Sequence, residues 1–264
     1  MTYLVSMITM FTYVPANFPS NYVLDYHGLK AGLLVGTLLT AAGAWVKTLV
    51  SRGFFWLYVG QTLCGLAQPF ILNAQGKIAV NWFPQEHVGA ATTIAVSANV
   101  FGVAVGYFFP AIFVSASDVD FPDRAASHIE QLFRAMAIFA TVVAGLVILF
   151  FRSRPAVSPS AVASAAKEPL CLSLKSLLRK RNFLLLTSAF SLIVGLWMTI
   201  STIIGELGAS YDYDSTQIAI MGQGFTLFGL IGNIVLGLYA ARTRAYRFIL
   251  LWSNTATLAA LLAF

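Results

Sequence analysis

Trp197, Gln61, Gln68, Asn17 and Asn21 carry the chemistry that this sequence offers inside its apolar stretches. Trp197 lies in the middle of such a stretch, where an indole needs a partner for its N–H or a cavity to face. Its ring either packs a helix bundle or offers its face to a cation. Gln61 and Gln68 stand seven residues apart, on one helical face two turns apart, near Asn73 and Gln75, and Asn17 and Asn21 repeat at four. Amides spaced like this bond neighbouring helices or line a polar path. Pro15, Pro19 and Pro69 lie on the same segments and release backbone carbonyls where helices kink. No carboxylate or histidine lies mid-stretch: Glu206 comes closest, at one end, and His27, His87 and His128 fall in connections. A proton relay would need such a group. An intramembrane enzyme would need paired aspartates, a Ser with a His, or clustered metal ligands. The residues point to recognition and not to catalysis, and neither a metal nor a cofactor is expected.

Eight apolar runs hold these residues: Met1–Leu24, Ala31–Val50, Phe54–Ala74, Gly89–Val114, Leu132–Phe151, Phe183–Gly205, Gln217–Ala240 and Arg247–Phe264. Each approaches the roughly 20 residues that a helix needs to cross the hydrocarbon core. Lipid offers no partner to a peptide group, so the runs must be helices. Only 10% of the 264 residues are charged and 58% are hydrophobic, too few charges to cover a water-soluble surface. The fold class is therefore all-α and polytopic. The net charge of +6 reflects orientation and not nucleic-acid binding. If Asp25–Lys30 is cytoplasmic, alternation puts twelve Lys and Arg inside, among them Lys77, Lys180 and Arg242, and leaves Lys47, Arg52, Arg124 and Arg134 outside. Seven acidic residues, from Asp118 to Asp214, fall outside. That is the positive-inside pattern.

The connections divide the chain. Residues 1–151 form a first helical bundle, 152–182 a Pro-, Ser- and Ala-rich cytoplasmic linker, and 183–264 the start of a second bundle. Cys64 and Cys171 lie too far apart to pair. The first run is under way at Met1 and the last stops at Phe264 without a polar flank, so the chain reads as the middle of a longer protein. Gly28, Gly32 and Gly36 make one stripe of small residues, and Ala98, Gly102 and Gly106 another. Such stripes let membrane helices approach, and the second either packs or lines a moving contact. In Asp25-Tyr-His-Gly-Leu-Lys30, the Asp25 carboxylate can cap the next helix while Gly28 permits the tight turn.

This turn, between two spans on the basic side, resembles the signature turn of the major facilitator superfamily. The segment Gly60-Gln-Thr-Leu-Cys-Gly-Leu-Ala-Gln-Pro-Phe-Ile-Leu-Asn73, with Asn81-Trp-Phe-Pro-Gln-Glu86, resembles one branch of it, the feline leukaemia virus subgroup C receptors and their relatives. Gly43-Ala-Trp-Val-Lys47, Asn99 and Gly102-Val-Ala-Val-Gly106 follow the same pattern, which is dense over residues 10–112 and thin after the linker. The resemblance implies an alternating-access carrier, with the runs standing for family helices two to nine. It implies choline, ethanolamine, pyridoxine or haem as substrates. A family Tyr on the seventh helix falls at Met198, a family Gln on the fifth at Val100 beside Asn99, and a family Asp at Ala241. On that register Trp197, Met198 and Asn99 are candidates for the substrate path, and the amides Gln61, Gln68, Asn17 and Asn21 join them as candidates by their own chemistry. The resemblance makes Asp25, Gly28 and Lys30 a conformational-switch turn.

The expected protein is a multi-pass, monomeric carrier of the plasma membrane, embedded in lipid, that takes a small organic cation or haem. A non-transporting receptor or sensor on the same fold is the alternative. The charge bias has a direct consequence. With a cysteine at Ser160, impermeant thiol reagents should leave intact cells unlabelled there, whereas Ser117→Cys should label readily; the reverse result would invert the topology.

Overall fold

The computed structural model describes residues 2–113, 122–153, 155, 175–211, 213 and 215–263. Eight long helices account for nearly all of them: α1 (Thr2–Tyr22), α2 (Leu29–Lys47), α3 (Phe54–Trp82), α4 (Val88–Phe113), α5 (Pro122–Phe150), α6 (Arg181–Ser210), α7 (Ser215–Thr243) and α8 (Tyr246–Ala263). Each contains or coincides with one of the apolar runs, because a run without a lipid-facing hydrogen-bond partner can close its backbone bonds only on itself. Five segments among the described residues, on α2, α4, α5, α6 and α7, are by themselves long and apolar enough to cross a membrane. α1, α3 and α8 carry more polar side chains. α5 starts at Pro122, ten residues ahead of its apolar run, with proline in the first-turn position that tolerates its missing N–H. The exposed Glu130–Arg134 pair at 2.6 Å supports that leading segment. Most of the 152–182 connection lies outside the described residues, as do Ser117 and Cys171.

Two compact units emerge. One takes in residues 1–84 and 105–165, the other 85–104 and 166–264, so α4 is divided between them. In the first unit α2 packs between α3 and α5, and α1 lies on α3. Its buried centre is Leu24, Leu29, Leu33 and Ala74, backed by Ile78, Val147 and Phe151. In the second unit α6 packs on α7, and α7 turns into α8 through Arg244, whose φ of 55° is the left-handed conformation that ends helices.

Small residues set the spacing in the first unit. A Cβ on Gly43 of α2 would stand 2.7 Å from the Gly60 carbonyl oxygen of α3, and one on Gly60 would meet the Gly43 carbonyl oxygen at the same distance. Gly36 lies against Phe70 and Ile71, and Gly65 of α3 against Thr12 of α1. Backbones this close gain dispersion contacts, which drive helix association where lipid removes the hydrophobic incentive. Gly32 and Gly36 of the first stripe are buried as their spacing requires.

A substitution pair reads this out. Gly43→Ala should overpack the α2–α3 seam and cost about 1–3 kcal/mol, lowering the melting temperature in detergent. Gly76→Ala, with nothing within 4 Å of the added methyl, should hold or raise it.

Candidate functional site

The Asp25 turn is built differently from its sequence expectation. α1 does not stop at Tyr22 but tightens into one π-helical turn over Val23–His27, ending at Gly28 with φ 92°. Asp25 is thus still on a helix, and no side chain caps Gly28. Its carboxylate instead accepts from Lys77 Nζ of α3 at 2.6 Å, both side chains about one-third exposed. The cap comes from α5's end: Ser153 Oγ accepts from the Lys30 backbone N–H at 3.0 Å. Lys30 returns the favour, its Nζ donating to the Ile148 carbonyl at 3.0 Å. A hydroxyl thus meets an orphan amide of α2 while a cation meets the negative end of α5. Gly28 permits this crossing, since its φ is one that side-chain-bearing residues rarely adopt.

One turn deeper, the amides of α1 and α3 form a cluster. Asn73 Nδ2 donates to Asn17 Oδ1 at 2.7 Å and reaches Ser20 Oγ at 3.1 Å. Asn21 Nδ2 donates to the Asn17 carbonyl at 3.0 Å, and the fully buried Ser20 donates to the same carbonyl at 2.9 Å. Asn17 therefore binds α1 to α3, while Asn21 bonds back onto Asn17 of its own helix. Gln61 and Gln68 do not join them. Gln68 is exposed, Gln61 half-buried, and neither makes a side-chain hydrogen bond among the described residues.

In the second unit, α6, α7 and α8 enclose a cavity of about 750 Å³, within the range of small-ligand pockets. α6 lines it at Ile193, Trp197, Ile200, Ile204 and Leu207, the three- and four-residue steps of one helical face. Phe225 of α7 and Thr257 of α8 lie opposite. Trp197 is half-buried, as a wall ring must be if its face is to meet a guest. Met198, one residue on, points elsewhere: it is 40% exposed and outside the lining. Among the described residues the lining contains Trp, Tyr, Phe, Met and Thr and no ionisable acid or base other than tyrosine. Such a surface can hold a cation by ring faces and cannot neutralise a carboxylate or phosphate. Among the described residues no group of His, Cys, Asp and Glu is arranged to hold a metal.

Asn99 sits on α4, exposed and without a side-chain hydrogen bond among the described residues. The adjoining face of α4 carries a feature that the sequence reading missed. Asn233 Nδ2 of α7 donates to the buried Ser97 Oγ of α4 at 2.9 Å. Four residues along each helix Thr93 packs on Gly237, and four further Gly89 packs on Ala241. Each step up α4 matches a step down α7, the register of an antiparallel pair. The Ala98, Gly102, Gly106 stripe is not this contact: a Cβ at Gly102 or Gly106 would meet nothing within 4 Å. Glycines attract the eye, yet here Thr93 and Ser97 supply two of the three small residues that α4 brings to the contact. Their signal was the i, i+4 repeat of Gly89, Thr93 and Ser97.

This register predicts a crosslink. The Cβ position at Gly237 lies 3.2 Å from the Thr93 Cβ, close to the roughly 3.5–4.5 Å of disulfides. Thr93→Cys with Gly237→Cys should oxidise rapidly, while Gly102→Cys with Gly237→Cys should remain reduced.

Comparison with known proteins places these features in a family. A family model for the Major Facilitator Superfamily matches residues 1–264. The chain is similar to the choline/ethanolamine transporter flvcr2b of Danio rerio, 33% identical over 92% of this chain and 51% of the relative. Similarity to choline/ethanolamine transporter FLVCR1 of Felis catus is 32% over 92% of this chain and 45% of the relative. For choline/ethanolamine transporter FLVCR2 of Homo sapiens it is 31% over 92% and 47%. The chain spans about half the length of the curated relatives it matches.

Proposed function

The chain belongs to the major facilitator superfamily and is an integral, multi-pass membrane protein, and from that premise we propose that the whole protein is a facilitated, alternating-access carrier of a small organic cation. The observation that carries this reading is the α6–α8 cavity, whose described lining offers ring faces and no lysine, arginine or histidine. An ammonium group gains about 0.5–2 kcal/mol from each well-placed ring when desolvated. Haem, with two propionates, would bring carboxylates to a surface without a counter-ion. The relatives named for choline and ethanolamine support the same substrate class. The protein works at the plasma membrane as a monomer and performs no catalysis.

The parts divide the work. Trp197 holds the cation, and Asn99, an exposed amide on α4, offers a further carbonyl oxygen. Met198 and Val100 stand where choline-carrying relatives place a Tyr and a Gln, so the preferred cation is a relative of choline. Asp25–Lys77, with the paired caps of Lys30 and Ser153, ties α1 to α3 and α2 to α5, so the first bundle moves as one body. Ser97 and Asn233 join α4 to α7 through a single side-chain bond on a small-residue face, a contact that can open at modest cost.

Uptake by the full-length protein in liposomes, offered choline, ethanolamine, pyridoxine or haem, tests the reading. A cation should be carried, independently of any proton gradient. Trp197→Ala should lower its uptake about tenfold and Asn99→Ala by a smaller factor. Wild-type rates in both variants would refute the site, and a strict need for an inward proton gradient would refute the mechanism.

A further inference from the structure

The cavity does not end at Trp197. Fourteen residues further along the chain its lining includes Tyr211, then Tyr213, and fourteen residues of helix rise about 21 Å. The two tyrosines reach the same groove because α6 ends in a fold-back. The Gly208 carbonyl accepts from the Tyr211 N–H at 3.1 Å and from the Tyr213 N–H at 3.0 Å. Gly208 is buried, and Ile218 of α7 occupies the space a Cβ would need, so this turn cannot relax outward without losing that packing. The groove is therefore elongated, with Trp197 toward mid-helix, aliphatic Ile200, Ile204 and Leu207 between, and two phenol rings at the far end.

The far end differs from the near one in two ways. Tyr211 is 75% exposed and Tyr213 47%, so their rings stand at the mouth and not in the depth. The sequence there reads Tyr211-Asp212-Tyr213-Asp214, which interleaves two carboxylates with the two rings. Acidic residues one position from the rings in sequence raise the local concentration of cations, and exposed rings bind cations by face. An anion would be repelled at the same place, and a neutral solute would gain nothing from the charges.

We propose that Tyr211 and Tyr213 form an outer aromatic station that captures an organic ammonium before it reaches Trp197. The station rests on the cation-carrier reading but makes its own demand on the kinetics. A station visited first sets capture and therefore KM, whereas the deeper ring contributes to translocation.

The test uses the full-length protein in liposomes with labelled choline, together with equilibrium binding of the same probe in detergent. Tyr211→Ala with Tyr213→Ala should raise KM and Kd about fivefold at little change in Vmax, and Tyr211→Phe with Tyr213→Phe should rescue both constants. Asp212→Asn with Asp214→Asn should raise KM about threefold at low salt and abolish its dependence on ionic strength. The uncharged choline isostere 3,3-dimethylbutan-1-ol should compete poorly. Unchanged melting temperatures would show that the variants fold. An unaltered KM in the alanine pair, or competition by the isostere equal to that of choline, would overturn the station. If that happens while Trp197→Ala still cripples uptake, the carrier reading survives and only the station falls. If the alanine pair raises KM while Trp197→Ala changes nothing, the station survives and the deep site falls. Absence of saturable choline binding by the intact protein would remove both.

Discussion

A bilayer offers a polar group nothing to bond, and this chain is organised around that deprivation. Helices satisfy the backbone, and the hydroxyls follow the same rule by turning back on their own helices. Thr37 donates to Leu33, Thr40 to Gly36, Thr62 to Tyr58, Thr141 to Ala137 and Thr226 to Gly222, all at 2.8–2.9 Å. Back-bonding of this kind costs a little helix regularity and removes the penalty of a bare hydroxyl in hydrocarbon. Amides, which have more groups than one helix can satisfy, are drawn into contacts between helices. Asn17, Asn73 and Asn233 do this. Gln61, Gln68 and Asn99 make no such contact among the described residues and keep spare capacity for a solute.

The helix ends face water and solve a different problem. There the free amides of α2 and the free carbonyls of α5 are brought together, and one lysine serves both through its backbone N–H and its ammonium. The exposed Asp25–Lys77 pair adds little energy by itself, since solvent screens a pair of this kind. Its value is geometric: with the caps it makes three connections among four helices at one end. Farther in, Gly43 and Gly60 bring α2 and α3 to backbone contact. Tight seams inside the first unit and a small polar seam between α4 and α7 give the protein both stiff and yielding places.

Helices were the most legible feature of the sequence, because apolar length alone implies them. Trp197 stands out in the sequence as a mid-run indole, and the structure places it in the wall of the α6–α8 cavity. The role of Asp25 was not. Asp-x-x-Gly suggests a cap, but whether α1 halts before Asp25 or runs on through a π turn depends on α3 supplying Lys77, a residue 52 positions away. Partners at that separation leave no local trace. The α4–α7 seam was missed for a related reason, because Ser and Thr are read as polar until a neighbouring helix makes their small size matter. Gly102 and Gly106 misled in the opposite direction: small residues permit close approach without compelling it.

α4 has its own consequence during synthesis. Most of it, residues 88–104, groups with helices that leave the ribosome later. Ser97 waits for Asn233, 136 residues behind it in the chain. At about 5–20 residues per second, that is a delay on the order of ten seconds. In the interval α4 stands in the membrane half-placed. Thr93 is already quieted by the Gly89 carbonyl at 3.0 Å, and Ser97 has the carbonyl one turn back as a temporary acceptor. A side chain able to bond its own helix first and a neighbour later is what a helix inserted ahead of its partners requires, and serine fits that interval where asparagine or glutamine would have sought a premature companion.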